Sequence, residues 1–152
     1  MTVKHIDYQY DECGLDNVVL EHFPVQVDDE GDEVVTIPNV NLLHRVLVGA
    51  VAIKSGGLKP KEIRFLRSEL GMSQAELARL VGRDGQTVGR WERGECPLDQ
   101  AAEMVIRMKA IEHVDRRELS IAELAERSVY SAVERPIRIE ASDPSRYRPV
   151  AA

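Results

Sequence analysis

The sequence predicts a mainly α-helical protein with a small α+β unit at its N-terminal end. Short segments with apolar residues at helical spacing, separated by glycines, follow one another between residues 58 and 132. Runs of β-branched residues precede residue 38. A chain of 152 residues with 43% hydrophobic and 30% charged residues suits one main domain plus appendages.

Residues 1–57 are predicted to form a β-hairpin followed by an apolar helix. The runs Val18–Leu20, Phe23–Val27 and Val34–Ile37 have the composition of strands. Between the last two lies the acidic run Asp28–Glu33, which holds Gly31 and is predicted to be a solvated turn.

An apolar helix is predicted to follow Pro38. Asn39 or Asn41 can cap it, and Ser55-Gly56-Gly57 ends it. Because its apolar residues cover more than one face, we expect it to pack on the hairpin and on either the next domain or a second subunit.

Three short helices joined by tight turns are predicted next. They cover Lys59–Leu70, Ser73–Val81 and Gly85–Arg93. Ser73 with Glu76 has the pattern of a capping box, Gly82 ends the second helix, and Asp84 caps the third. Trp91 falls on the inward side of the third helix with Val88, which predicts a core role rather than base stacking.

The remaining chain is predicted to hold two helices and a tail. One helix runs from about Pro97 and places Ala101, Val105, Met108 and Ile111 at helical spacing. The other covers 120–132 and begins with a capping box at Ser120. Residues 133–152 are predicted to be an extended or disordered tail, in which 137–140 alternate as an edge strand does.

The charge is distributed unevenly along a chain whose net charge is −6. Residues 1–57 carry 3 basic and 10 acidic side chains, residues 58–110 carry 10 and 8, and residues 111–152 carry 7 and 8. The acidity therefore belongs mainly to the N-terminal third. The mildly basic middle permits a DNA-binding face in a protein of pI 5.3.

Several other functions lack the residues that they require. Cys13 and Cys96 show no CxxC or CxxH spacing, and His44 shares no ligand spacing with another histidine, so neither a metal site nor a disulfide is expected. The apolar run Val46–Ile53 is too short to cross a membrane, and no secretory leader is visible. We expect a cytoplasmic protein without a cofactor.

Residues 60–111 resemble the Xre/Cro/CI-type helix-turn-helix of phage repressors and antitoxins. The resemblance rests on LGMSQAELA followed by VGRDGQTVGRWERG and covers about a third of the chain. It implies a five-helix, lambda-repressor-like domain over 58–132 that binds double-stranded DNA through the helix that begins at Gly85.

The resemblance also implies site residues. Gln74 and Thr87 match positions that contact the DNA backbone, and Arg67 and Glu92 match a bridging ion pair. The outward positions of the recognition helix are Gly85, Gln86 and Arg90. The chemistry of the side chains suggests that Gln86 pairs with adenine and Arg90 with guanine, whereas the bare Gly85 reads no base through a side chain. Further candidate phosphate contacts are Ser73, Arg83 and Arg93.

A second resemblance concerns the N-terminal third. Residues 10–18 and 37–45 are similar to antitoxin-like regulators of the MqsA/YgiT type, whose zinc-bearing members hold two CxxC pairs. This chain has only Cys13 in that region, so the metal should be absent. The two resemblances together imply a homodimeric repressor of the type II antitoxin kind, with a basic toxin as a partner for the acidic unit.

Two alternatives belong to other functional classes. The scarcity of net positive charge suits an interaction protein that uses its helix-turn-helix only as a scaffold. An enzyme with an appended helix-turn-helix, as in cyanase-like proteins, lacks support because the sequence shows no Ser/His/Asp or Cys/His grouping, carboxylate dyad or P-loop. No catalytic residue is therefore expected.

Overall fold

A computed structural model describes residues 2–114, 121–128 and 135–150 of the chain. Within these ranges the protein is mainly helical with a small sheet. The helices are α1 (Val40–Ile53), α2 (Pro60–Glu69), α3 (Gln74–Val81), α4 (Gly85–Glu92), α5 (Gln100–His113) and α6 (Ile121–Arg127). The strands are β1 (Thr2–Gln9), β2 (Val18–Val27), β3 (Glu33–Val34), β4 (Ile137–Glu140) and β5 (Arg148–Pro149). None of the helices described is long and apolar enough to cross a membrane.

The chain divides into two compact units, and the boundary lies inside α1. The first unit comprises residues 1–47 and 135–152 and contains the sheet. The second comprises residues 48–134 and contains α2 to α6.

The sheet of the first unit is organised around β2. This strand pairs antiparallel with β1, from Thr2↔Val27 to Gln9↔Val19, and parallel with β4, from Val18↔Ile137. β5 pairs antiparallel with β4. β2 contributes the fully buried residues Val18, Leu20, Phe23 and Val25. The period of two is interrupted between Leu20 and Phe23, where the register with β1 shifts and His22 has a φ of 55°.

The predicted hairpin differs from the observed one. The acidic run does form a turn, in which the Asp28 carboxylate accepts the N–H groups of Glu30 and Asp32, both at 2.9 Å. Beyond it, β2 and β3 pair over only two residues, and the long partner of β2 is β1. β1 gave no strand signal because most of its residues are exposed and polar, so it shows little hydrophobic alternation.

The predicted tail is also placed differently. Residues 137–140 form an inner strand between β2 and β5 rather than an edge strand or a separate tail, and Ile139 is fully buried. β4 pairs in parallel with β2, and the paired residues lie more than 100 positions apart in the sequence. Local sequence patterns carry no information about such a pairing.

The helices of the second unit begin close to the predicted positions, with one difference. α5 begins at Gln100 rather than near Pro97, because the Asp99 carboxylate accepts the N–H of Ala102 at 2.8 Å and caps the helix. The last predicted helix is described over Ile121–Arg127, and its predicted cap at Ser120 lies outside the described residues.

The buried face of α5 differs from the one that its sequence spacing predicted at three of four positions. Ala101, Val105 and Met108 are exposed, whereas Ile111 is buried as predicted. The buried residues include the charged Glu103 and Arg107. Arg107 donates hydrogen bonds to the carbonyl oxygens of Ala52, Lys54, Gly56 and Arg127 at 2.6–3.1 Å. The buried guanidinium thus satisfies carbonyl groups at and after the C-terminal end of α1.

Candidate nucleic-acid interface

The helix pair α3–α4 is defined by polar caps and a glycine. The capping box predicted at Ser73 is confirmed: its hydroxyl accepts the N–H of Glu76 at 3.1 Å, and the Glu76 carboxylate accepts the N–H of Ser73 at 3.3 Å. α3 ends at Gly82, whose φ of 71° lies in the left-handed region that favours glycine. Asp84 then caps α4 by accepting the N–H of Thr87 at 2.8 Å.

This cap also lowers the pKa of Asp84 and engages the hydroxyl group of Thr87. The hydrogen bonds from Thr87 keep the pKa of the Asp84 carboxyl below its usual value. The Thr87 hydroxyl lies 3.0 Å from the same carboxylate and donates its single proton to it. In this arrangement the predicted phosphate contact of Thr87 has no donor to offer.

The N-terminal end of α4 packs against α3 at Gly85. A Cβ added at Gly85 would lie 3.6 Å from the Ala75 Cα, at van der Waals distance. Gly85 is half-buried by this approach. The structure therefore places Gly85 at a packing position between two helices, although it was one of the predicted base-contact positions.

A partly buried ion pair joins α2 to α4. Arg67 donates from Nε to Glu92 Oε2 at 2.6 Å and from Nη2 to Glu92 Oε1 at 3.0 Å, and its Nη1 donates to the Met72 carbonyl oxygen at 2.9 Å. The two side chains are 15% and 5% exposed. The hydrogen bonds to the Glu92 carboxylate raise the pKa of Arg67 above its usual value.

Gln74 extends this ion pair to the start of α3. Its Nε2 donates to Glu92 Oε1 at 3.2 Å. Arg67, Gln74 and Glu92 therefore form one network, called here the Arg67 network, which links the C-terminal end of α2, the N-terminal end of α3 and α4. Such a bidentate pair fixes geometry more than it adds net stability.

Two polar side chains of α4 lie on the side opposite the buried residues. Gln86 and Arg90 are exposed, whereas Val88 and Trp91 are buried. Gln86 and Arg90 are four residues apart, so they occupy neighbouring positions on one helix face. Among the described residues, neither side chain has a hydrogen-bond or ion-pair partner.

The predicted phosphate contacts have unequal donor capacity. The Ser73 hydroxyl accepts a hydrogen bond within the capping box and keeps its own proton for another acceptor. Gln74 keeps the second N–H of its amide, and the α3 N-terminus adds a favourable dipole for an anion. Both residues stand at the helix end where a phosphate can bind.

The two predicted phosphate-binding arginines are engaged by carboxylates. Arg83 Nη2 lies 2.8 Å from Asp99 Oδ2, and Arg93 Nε lies 2.9 Å from Glu95 Oε1. The ion pair raises the pKa of Arg93 and lowers the pKa of Glu95. All four side chains are at least 40% exposed, so these pairs are weak and can exchange for other charged partners.

Among the described residues, one group of possible metal ligands is found, and it belongs to the first unit. Ligand atoms of Glu21, His22 and Glu140 lie within 4.8 Å of one another. His22 Nδ1 already lies 2.8 Å from Glu140 Oε2, and Arg138 Nη1 lies 3.1 Å from Glu21 Oε1. The two carboxylates are thus held by ion pairs within the protein.

A comparison with protein families supports the helix-turn-helix interpretation. Residues 61–110, about a third of the chain, match a family model described as a helix-turn-helix domain. The chain thus carries a domain of the kind found in DNA-binding regulators. No match was found among curated proteins or among solved structures.

Proposed function

We propose that this protein is a sequence-specific transcriptional regulator that inserts α4 into the major groove of double-stranded DNA. The proposal rests on the difference between the two sides of α4. One side is held by the partly buried Arg67 network, while the exposed side presents Gln86 and Arg90 without partners among the described residues. A recognition helix requires both a fixed orientation and unoccupied polar side chains.

The two exposed side chains suit different bases. The amide of Gln86 can bind the N6 and N7 atoms of adenine, and the guanidinium of Arg90 can bind the O6 and N7 atoms of guanine, each in a bidentate way. Both lie on one helix face, so we infer that they read neighbouring base pairs. With Gly85 packed on α3, these two residues supply the direct readout that we propose for α4.

Phosphate contacts would set the register of the protein on the duplex. We assign this role first to Ser73 and Gln74, which retain donors at the N-terminal end of α3. Arg83 and Arg93 would contribute after exchanging Asp99 and Glu95 for phosphate oxygens. The mildly basic middle of the chain is consistent with modest electrostatic affinity.

The finer proposal is a cytoplasmic, homodimeric repressor of the type II antitoxin kind, without a catalytic role. Two copies of α4 about 34 Å apart would reach successive major grooves of a palindromic operator. The acidic first unit suits a basic toxin, because opposite charge accelerates association and favours the correct partner. The alternative, a protein-interaction module that binds no DNA, is separated from this proposal by the following experiment.

We would titrate the full-length protein onto duplex DNA from its own upstream region and onto a random duplex, across a salt series. Gln86→Ala and Arg90→Ala should each weaken specific binding by about 1–3 kcal/mol and leave random-duplex binding less affected. Arg64→Ala, which removes an exposed charge from α2, is the matched control and should leave specificity unchanged.

One outcome of this titration would refute the proposal. If the wild-type protein binds neither duplex at low salt, DNA recognition is refuted and the helix-turn-helix acts as a protein-interaction scaffold. Sedimentation of the protein alone and with a two-half-site duplex tests the dimer, which should bind as two copies per duplex.

A further inference from the structure

The second unit contains a cavity of about 370 Å³ that the DNA-binding proposal does not use. This volume lies at the lower end of the range of small-molecule sites, roughly 300–1,000 Å³. Its walls come from the start of α2, the end of α4 and the connection between α4 and α5. The main apolar lining residues are Leu58, Pro60, Ile63, Trp91, Pro97 and Leu98.

Two buried polar side chains also line this cavity. Glu103 and Ser128 are 3% and 7% exposed, respectively. Ser128 Oγ and Glu103 Oε2 have no hydrogen-bond partner among the described residues. Buried polar atoms without partners cost free energy and are rare in native proteins. A bound molecule that supplies a hydrogen bond would remove that cost.

The charge of Glu103 is already balanced within the protein. Its Oε1 accepts the N–H of Leu58 at 2.8 Å, and its Oε2 lies 3.4 Å from Nε of the fully buried Arg107. A cationic ligand at Oε2 would be repelled by Arg107, and an anion would be repelled by Glu103. The environment therefore favours a neutral ligand.

We propose that this cavity binds a small, neutral aromatic molecule that carries one hydroxyl or N–H donor. The apolar walls and the indole of Trp91 would enclose the ring. The donor would bond to the Ser128 hydroxyl, which lines the cavity and has no hydrogen-bond partner among the described residues.

A ligand at this position contacts the recognition helix directly, because Trp91 belongs to α4. Binding in the cavity is expected to change the DNA affinity of the protein by biasing the position of α4. This coupling rests on the proposed DNA binding, whereas the cavity itself does not.

The sequence provides a specific reporter, since Trp91 is the single tryptophan of the chain. We would follow its emission, excited at wavelengths where phenol is transparent, while adding phenol to the full-length protein up to roughly 10 mM, because so small a probe binds weakly. Anisole, which has the same ring but no donor, is the matched probe. Phenol should change the emission saturably and bind about tenfold more tightly than anisole.

Two variants locate the binding site. Ser128→Ala should weaken phenol about fivefold and leave anisole unchanged, whereas Leu98→Phe, which fills the cavity, should weaken both probes. Ser68→Ala on the exposed side of α2 is the control and should change neither. Ser128→Ala removes an unpaired hydroxyl, so its folding should not be impaired.

The outcomes separate the cavity from the proposed function. An emission that does not saturate, or equal affinities for phenol and anisole, overturns the binding site regardless of what the protein does with DNA. If phenol binds and the dissociation constant for specific DNA stays constant at saturating phenol, the coupling to α4 is refuted. A protein that binds phenol but no DNA refutes the proposed function alone.

Discussion

Removing Arg67 should destabilise the protein by about 3 kcal/mol, because the substitution leaves a buried carboxylate without its cation. The Glu92 side chain is 5% exposed. In Arg67→Ala it would lose two hydrogen bonds and retain the one from Gln74 at 3.2 Å among the described contacts. Breaking a buried pair from one side costs about 3–5 kcal/mol, and the 15% exposure of Arg67 places this case at the lower end.

A double variant that removes both charges distinguishes an unpaired charge from lost packing. Replacing both residues by methionine in Arg67→Met/Glu92→Met removes both charges together, so its stability should lie within about 1 kcal/mol of wild type. The exposed pair of Lys109 and Glu112, 3.5 Å apart, is the control, and Lys109→Ala should cost less than about 0.5 kcal/mol.

The assay is urea unfolding followed by Trp91 emission and by circular dichroism, which should give coincident transitions. Two results would refute the reasoning. One is an Arg67→Ala variant that loses less than about 1 kcal/mol, and the other is a double variant at least as unstable as Arg67→Ala. Arg67→Ala should also weaken specific DNA binding more than random-duplex binding, because α4 loses its fixed orientation.

Three further predictions concern pH, salt and helix propensity. The hydrogen bond to Glu140 raises the pKa of His22 above 6.5, so His22 adds stability that is present below pH 6.5 and is lost as the pH rises through the raised pKa. The pKa of Glu140 is lowered from 4.5 to about 2, so Glu140 adds stability that is lost as the pH falls toward 2. The melting temperature of His22→Asn should therefore differ most from wild type between about pH 4.5 and 6.5; an equal difference at pH 9 would contradict this. Glu95→Gln should free Arg93 for a phosphate and steepen the salt dependence of DNA binding by up to about 0.9 in log–log slope. An unchanged slope would show that Glu95 does not hold Arg93 away from phosphate. Gly89→Ala should raise the free energy of unfolding in urea by up to about 1 kcal/mol, because alanine has a higher helix propensity than glycine. The added methyl group would lie 3.0 Å from the end of the flexible Arg93 side chain, which can move aside. A loss of stability would mean that this side chain cannot move.

Local sequence signals predicted the helix-turn-helix because its physics is local. A capping box needs only residues three positions apart, as at Ser73, and a left-handed helix end needs only a glycine, as at Gly82. The same holds for the Asp84 cap and for the inward position of Trp91. The exposure of Gln86 and Arg90 agrees with the outward positions that the family resemblance implies, and the match to a helix-turn-helix domain covers this same region.

The prediction from sequence was wrong on α5, where apolar residues are exposed and a charged residue is buried. On α5 the apolar spacing pointed to Val105 and Met108, yet both are exposed, while Arg107 is fully buried. Arg107 can be buried because carbonyl groups distant in sequence, at and after the end of α1, accept its protons. A periodicity argument excludes a charged residue from a core, and only the folded chain shows that its partners are present.

Local sequence patterns were therefore sufficient to predict the caps of α3 and α4 and the order of the helices, because these features depend on neighbours within a few positions. Only the folded chain shows which strands pair with β2, which arginines are engaged by carboxylates, and where a cavity lies beside Trp91. These features depend on contacts between residues brought together from separate elements. Their energies arise only when folding excludes water from them, which no local pattern records.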